Sequence, residues 1–268
     1  MTMNRSRSIT ALLCVALLSA CGDSAVQKIT SFPPGSAIKF YNFGVCGATQ
    51  TTTTSCMPGV NFYANDTKMT AVSSTSGTES PLGTAYAALG NNGIYSGIAP
   101  GQYTISGRIS AAGTDKDVPV SNTSVTLADG KYYSYYLSGF YNTTAKTVDS
   151  FIVEDGLAAI DLTATYVRFV NAIANANPMT LYAKNTTTGT ETAIGAETAY
   201  KSAGAFVSVA PGTYDLSTRY SGSTSNAISR TAVAFVPGKT YTISARGDIT
   251  ITSTTAINRP FLDATPNQ

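Results

Sequence analysis

Two short stretches match the spacing of catalytic or phosphate-binding motifs. Ser36 and Lys39 match the serine–x–x–lysine spacing of acyl-transfer enzymes, which works when a helix places both side chains on one face. Here the pair opens a predicted strand, in which residues three apart point to opposite faces. The sequence GKT at residues 238–240 matches the end of a phosphate-binding loop, but the first glycine of that loop would fall at Val233. Neither stretch predicts a catalytic site.

The acidic residues form two tight clusters, Asp115 with Asp117 and Glu154 with Asp155. Glycosidases need two carboxylates about 5–9.5 Å apart across a cleft, and closeness in sequence does not supply that. Neither cluster has the spaced oxygen ligands of an EF-hand, so we interpret the first as a solvated hairpin tip and the second as an interdomain linker. A loosely bound calcium ion and a carboxylate-based hydrolase are the alternatives. The chain has no histidine, which excludes Ser-His-Asp catalysis and histidine-ligated zinc. We predict no catalytic residue, no cofactor and no metal site.

Tyrosines are the remaining candidates for binding, and they concentrate in the sequence KYYSYYLSGFY, which begins at residue 131. In a strand, Tyr133 and Tyr135 share one face, which we predict to be core. Tyr132 and Tyr136 share the other face, four residues or about 13 Å apart along the strand. Such a pair would suit stacking on a sugar or on a partner's surface. The alternative, which we favour, is that they pack against the other domain or cover the sheet.

The elements that position these residues repeat along the chain. Four blocks recur in the same order: 38–42 (IKFYN) with 167–171 (VRFVN), 62–64 (FYA) with 181–183 (LYA), 99–106 (APGQYTIS) with 210–217 (APGTYDLS), and 130–134 (GKYYS) with 238–242 (GKTYT). Such order predicts a tandem duplication.

The composition predicts an all-β fold. Charged residues are few, and Thr, Ser, Gly and Tyr are abundant, which favours strands joined by tight turns. The aligned Pro-Gly turns at residues 100–101 and 211–212 are each followed by a tyrosine, Tyr103 or Tyr214. We predict that each tyrosine buries its ring and bonds its hydroxyl to nearby backbone, as in a tyrosine corner. The prediction is two tandem Ig-like antiparallel β-sandwich domains after a lipoprotein signal peptide, with the last strand at residues 248–255.

The N-terminus has the features of an export signal. Arg5 and Arg7 precede an apolar run at residues 9–18, which is too short to cross a bilayer and is typical of a secretory signal. Two small residues directly before Cys21 resemble the bacterial lipobox, which implies lipidation of Cys21; an ordinary signal peptide is the alternative. Gly22 follows the cysteine, and by resemblance to lipoprotein sorting signals this favours delivery to the outer membrane.

These features give the predicted organisation. The signal peptide spans 1–20, the lipidated tether 21–36, the first sandwich 37–155, a linker 156–163, the second sandwich 164–258 and a tail 259–268. Removing the signal and its two arginines leaves equal numbers of basic and acidic residues, which offers no footprint for nucleic acid. Cys46 and Cys56 remain, and we predict that they form a disulfide.

Three segments of the second repeat resemble a known family. The sequences VRFVNA at 167–172, APGTY at 210–214 and PGKTYT at 237–242 are similar to the tandem bacterial domain of unknown function numbered four-three-nine-seven. The resemblance runs from about residue 37 onward, and the first repeat departs from it at 43–46 (FGVC). It implies a secreted or surface β-sandwich without assigned catalysis, and it supplies no site residues.

The functional prediction combines these points. We expect a lipid-anchored protein of the bacterial outer membrane, on its periplasmic or cell-surface face, with a non-catalytic binding, adhesion or structural role. Its expected partners are the membrane, through the N-terminal lipid, and an envelope protein or glycan, but no nucleic acid. The first alternative is a carbohydrate-binding module that uses Tyr132 and Tyr136, or Tyr86 and Tyr95 in loops. The second is the carboxylate-based hydrolase.

Overall fold

The computed structural model describes residues 35–46, 57–70, 81–157 and 159–267. The predicted signal peptide, the lipidated Cys21 and the predicted disulfide partner Cys56 lie outside these residues. The two halves are called repeat 1 (residues 35–157) and repeat 2 (residues 159–267). In the part of the chain that is described, no helix has the length and apolar character needed to cross a bilayer.

Repeat 1 is built from strands and one 3-10 turn at Gly90–Gly93. Its strands are β1 (Ser36–Val45), β2 (Val60–Ala64), β3 (Thr67–Lys68), β4 (Ser96–Ile98), β5 (Gly101–Ile109), β6 (Pro119–Leu127), β7 (Tyr132–Asn142) and β8 (Thr147–Glu154). They form two sheets, with orders β4-β1-β7-β8 and β3-β2-β5-β6.

Repeat 2 has the same plan. Its strands are β9 (Thr165–Asn171), β10 (Met179–Asn185), β11 (Glu191–Thr198), β12 (Ser202–Ala203), β13 (Val207–Val209), β14 (Gly212–Tyr220), β15 (Ile228–Phe235), β16 (Thr240–Arg246) and β17 (Phe261–Pro266). The sheet orders are β12-β9-β16-β17, with β13 also on β9, and β11-β10-β14-β15.

The two repeats therefore share one topology, and the all-β sandwich prediction is confirmed. Pairing is mostly antiparallel, but β1 runs parallel to β7, and β9 runs parallel to β16. Each parallel pair joins the first strand of a repeat to its last-but-one strand, so the ends of each repeat meet in one sheet.

The core of each repeat lies between its two sheets. In repeat 1, Phe40 and Tyr135 from one sheet meet Phe62 from the other, and the Phe40 and Phe62 ring centroids are 4.9 Å apart. In repeat 2, Phe169 and Leu181 hold the corresponding places and are fully buried. Burying each large apolar side chain contributes about 1.5–3 kcal/mol, so these contacts hold the sheets together.

The predicted tyrosine corners are present in both repeats. The Tyr103 hydroxyl donates to the Ala99 carbonyl oxygen at 3.0 Å, and the Tyr214 hydroxyl donates to the Ala210 carbonyl oxygen at 2.7 Å. Each bond closes the Pro-Gly turn onto the strand that follows it. The turn and the tyrosine therefore act as one local unit.

Removing the Tyr214 hydroxyl tests the value of this bond. We expect Tyr214→Phe to lower the free energy of unfolding by about 1 kcal/mol, because the ring stays buried and only one hydrogen bond is lost. Urea denaturation measures the change, and Tyr103→Phe should give a loss of similar size in repeat 1. A Tyr214→Phe protein as stable as the wild type would contradict a stabilising role for the bond.

The predicted last strand and tail are wrong. Residues 248–255 form turns, because the Asp248 side chain accepts bonds from the Thr250 amide and hydroxyl. Gly247 turns the chain there with φ +108°, and a Cβ on it would lie 2.2 Å from the Arg259 carbonyl oxygen. The last strand is β17, which pairs with β16 and buries Leu262 in the core. The second sandwich therefore extends beyond residue 258.

Candidate functional site

The middle of the second face of β7 is hidden from solvent. Tyr136 is fully buried, and its ring stacks on Tyr41 and Phe151 with centroids 4.3 and 4.8 Å away. Val170 and Ala172 of repeat 2 pack on this cluster. Burial raises the pKa of Tyr136 to about 12. Tyr136 is therefore not available to a ligand, and the favoured alternative, that it packs against the other domain, holds for this residue.

Tyr132 lies at the rim of this contact. It is 41% exposed, and its ring meets the edge of the Tyr95 ring with centroids 5.2 Å apart. The Tyr95 hydroxyl donates to Asp155 at 2.5 Å, so Tyr95 is tied to the interface. Tyr86 is buried, and its hydroxyl accepts a bond from Arg246. Ligand binding by Tyr132 stays a prediction, without the two-tyrosine platform.

A buried ion pair joins the repeats. The Arg168 guanidinium of repeat 2 donates to the Asp155 carboxylate of repeat 1, and their side chains are 2% and 0% exposed. Arg168 also donates to the Glu154 carbonyl oxygen at 3.2 Å and to the Thr242 hydroxyl at 3.0 Å, and the Ser134 hydroxyl donates to Asp155. The interpretation of Glu154 and Asp155 as a linker is wrong, since Glu154 ends β8 and Asp155 is buried beside it.

Lys39 makes the matching contact from repeat 1. Its ammonium donates to the Pro266 carbonyl oxygen at 2.9 Å and to the Asn267 side-chain oxygen at 3.1 Å. The Asn267 amide in turn donates to Thr242. Burial lowers the pKa of Lys39 to about 8; attraction to Asp155 opposes this shift, and repulsion from Arg168 adds to it.

These contacts are reciprocal. Lys39 and Arg168 hold equivalent places in β1 and β9, which pair in the same register with β7 and β16. Asp155 and Asn267 each follow the last strand of their repeat. Each cation crosses to that point in the other repeat and lies over an aromatic ring of its own repeat, at 4.3 Å for Lys39 and 4.7 Å for Arg168. Such a self-complementary contact is the geometry of a two-fold symmetric interface.

One position breaks the symmetry. Where repeat 1 places the Asp155 carboxylate, repeat 2 places the neutral amide of Asn267. The buried ring of polar groups therefore contains two cations and one anion, and among the described residues Lys39 forms no ion pair with a carboxylate. This ring of polar contacts holds the facing sheets of the two repeats in register. Each polar group in it bonds to another group of the protein.

The remaining predicted chemistry is located as follows. Ser36 and Lys39 lie in β1 as expected, and the Ser36 hydroxyl donates to Ile98. Asp115 and Asp117 lie in the turn between β5 and β6, as predicted, with Asp115 3.0 Å from the Lys146 ammonium. Within the described ranges, no three Asp, Glu, Cys or His side chains are grouped to hold a metal ion. Cys46 is buried after β1, and its pairing with Cys56 stays a prediction.

The sequence held one signal for the buried ring. The repeat alignment sets Lys39 against Arg168, in strands whose other aligned residues are mostly apolar. A cation at the same place in two otherwise apolar strands indicates a buried polar contact. What the alignment does not give is the partner of each cation.

Residues 165–267 match the model of a family described as a domain of unknown function, DUF4397. The matched range begins with β9 and ends just after β17. Repeat 2 is a DUF4397 domain. The DUF4397 match places β17 inside the domain, as the sheet does. No curated protein matches the chain.

Two solved structures are similar to the chain at a low level. One is named a "putative cell adhesion protein" from Bacteroides fragilis, with 11% identity over 87% of this chain and 97% of that one, at a TM-score of 0.23. The other carries the same description and comes from Bacteroides ovatus, with 13% identity over 89% and 97%, at a TM-score of 0.20. At these scores neither carries an argument about the DUF4397 domain or its function.

Proposed function

We propose that the chain is a lipid-anchored, non-catalytic protein of the bacterial outer membrane that presents two joined sandwiches for binding or adhesion. The observation that carries the proposal is the reciprocal ring of buried polar contacts between the repeats. It joins Lys39 and Arg168 to the ends of β17 and β8. An interface of this kind suits a body that keeps its shape while its outer surface binds.

The interface favours two repeats that form one rigid unit over two domains that move independently on a linker. Domains in one chain move relative to each other by default unless their contact is extensive. Here stacked aromatic rings fill the centre of the contact, and a fully desolvated ion pair lies beside them. Separating the repeats would expose the rings and leave the cations without their partners. We therefore expect the two repeats to move together.

The outer surfaces are the part available for recognition. Loops and edge strands carry most binding sites on β-sandwiches. The edge strands β6 and β15 expose alternate polar side chains, and Ile94 in a loop of repeat 1 is 69% exposed. A binding role places recognition on these elements rather than in the buried contact.

The anchor is tested by removing the lipidated sulfur. We expect Cys21→Ser to move the protein from the membrane pellet to the soluble fraction and to abolish incorporation of an alkyne-labelled fatty acid, because stable anchoring depends on the acyl chains. Fractionation and click-labelling of cells measure both. Cys14→Ser, inside the signal, is the control and should change neither. Continued fatty-acid labelling of the Cys21→Ser chain would contradict the proposal.

The binding role needs a cellular readout. Cells that lack the protein are compared with cells that carry the wild-type chain or the Cys21→Ser chain, and attachment to polysaccharide-coated surfaces is counted. We expect attachment to fall without the anchored protein. Equal attachment in all three strains, with no partner cross-linked on intact cells, would count against adhesion and binding alike.

A further inference from the structure

Three arginines of repeat 2 surround a single phenyl ring. The guanidinium carbons of Arg246, Arg259 and Arg230 lie 5.1, 5.2 and 5.3 Å from the centroid of Phe261. Arg246 is neutralised by Asp263, to which its Nε donates. The cluster therefore gathers more positive charge than its own acidic residue balances.

Among the described residues, the other two arginines donate to main-chain acceptors. Arg230 donates to the Leu262 carbonyl oxygen at 2.7 Å, and Arg259 donates to the Ala256 carbonyl oxygen at 3.1 Å. Within the described residues, neither lies in an ion pair with a carboxylate. A guanidinium has five donors in a planar fork, so each of these side chains keeps donors for a further acceptor.

Repeat 1 shows that the sandwich is built without this cluster. Strand register pairs Arg246 with Phe261, and the equivalent pair in repeat 1 is Ser138 with Asp149. Arg230 pairs with Leu216 in the place where Thr123 pairs with Ile105. The same topology thus forms with small or acidic residues at these positions. Arg246 and Arg230 are therefore not a requirement of the fold.

A groove of about 250 Å³ opens beside the cluster. It lies between β15 and the loop before β17, and its volume is just below the usual range of about 300–1,000 Å³ for ligand sites, which suits one sugar unit. Its lining combines two ring faces, one cation and several hydroxyl groups: Phe261, Pro260, Arg259, Ser229, Thr252 and Ser253. Ring faces stack on the C–H face of a sugar, hydroxyls bond to its hydroxyls, and a guanidinium matches a carboxylate with two parallel bonds.

We propose that this groove binds an acidic glycan, with Arg259 contacting the carboxylate of a uronic acid unit and Phe261 lying against its ring. Arg230 packs on Phe261 outside the groove lining and adds positive charge beside the site. The inference rests on the proposed binding role and names the ligand class and the site. It differs from the candidate at Tyr132, which lies in repeat 1 and has no arginine cluster.

The test measures binding of hexagalacturonate to the mature chain in detergent by titration calorimetry. We expect binding that weakens as salt rises, because the contact is ionic, and no binding of the neutral maltohexaose. Arg259→Gln should weaken binding at least tenfold with an unchanged melting temperature, and Arg230→Gln should act in the same direction. Arg219→Gln is the matched control: it lies in the same repeat, is paired with Glu191, and should bind as the wild type does. Tyr132→Ala should also bind normally.

Equal binding of maltohexaose, equal binding of polyglutamate, or unchanged binding by Arg259→Gln would each overturn the inference. A sulfated dextran hexamer serves to separate carboxylate from sulfate recognition, and tighter binding of the sulfated probe would overturn the uronate assignment. If Arg259→Gln cells attach to surfaces as wild-type cells do, while anchor-less cells do not, the groove assignment fails and the adhesion role stands.

Discussion

Replacing Arg168 by methionine is expected to lower the free energy of unfolding by about 3–5 kcal/mol. The change keeps most of the side-chain volume but leaves the Asp155 carboxylate buried without its cation. It also removes the donors to Glu154 and Thr242. Urea denaturation followed by tyrosine fluorescence measures the loss. Tyr136 lies in the same interface and reports its opening.

The partly exposed pair of Arg219 with Glu191 provides the comparison. Arg219→Met should cost no more than about 1 kcal/mol, because exposed ion pairs contribute little. The double variant Asp155→Asn with Arg168→Met should recover part of the loss, because it removes the buried charge and copies the neutral Asn267 of repeat 2. An Arg168→Met protein within about 1 kcal/mol of the wild type would mean that the interface opens readily.

The local features of the fold were within reach of the sequence. Tyr103 and Tyr214 each follow a Pro-Gly turn, and the bond each makes is to a residue four positions earlier. Strand alternation likewise assigned Tyr133 and Tyr135 to the core. In these cases the partner lies nearby in sequence or on a known strand face. Short-range geometry then decides the outcome.

The second face of β7 was not decided by short-range geometry. Tyr136 and Ser244 occupy the same strand position in the two repeats. Ser244 is small and polar, which predicts that this position faces solvent. In the structure the two hydroxyls lie 3.5 Å apart across the interface. Ser244 fits this position because its hydroxyl contacts the Tyr136 hydroxyl of repeat 1. Only the placement of one repeat on the other reveals this.

The prediction of a last strand at residues 248–255 is wrong for a different reason. The sequence DITITSTT alternates like a half-buried strand, yet Asp248 uses its side chain to cap a turn. Ser, Thr and Asp side chains compete with sheet hydrogen bonds in this way. The short stretch after Pro260 looks irregular, but it completes the sheet because β16 would otherwise have an open edge. The sequence also did not predict the buried ion pair. Asp155 follows the last strand of repeat 1 and Arg168 lies in the first strand of repeat 2, and the packing of one repeat on the other brings them together.

The second large expected effect is a pH dependence of stability that arises from Lys39. The unfolded chain holds the lysine proton up to about pH 10.5, whereas the folded protein releases it near pH 8. Between these values unfolding takes up a proton, so raising the pH disfavours the unfolded state and stability rises. The shift corresponds to about 3 kcal/mol across the whole interval. Burial raises the pKa of Tyr136 to about 12, which works in the opposite direction above pH 10, where unfolded tyrosines ionise.

The measurement is therefore the slope of the unfolding free energy between pH 8 and 9.5, by urea denaturation in buffers of equal ionic strength. We expect the unfolding free energy to rise with pH in the wild type and to stay constant in Lys39→Met, which has no proton to release at this position. Lys39→Arg is the sharper comparison, because it keeps the charge and copies Arg168 at the equivalent position, yet a guanidinium does not deprotonate in this range. A slope that persists in both variants would assign the titration to another group, and Lys39 would then keep its proton in the folded interface.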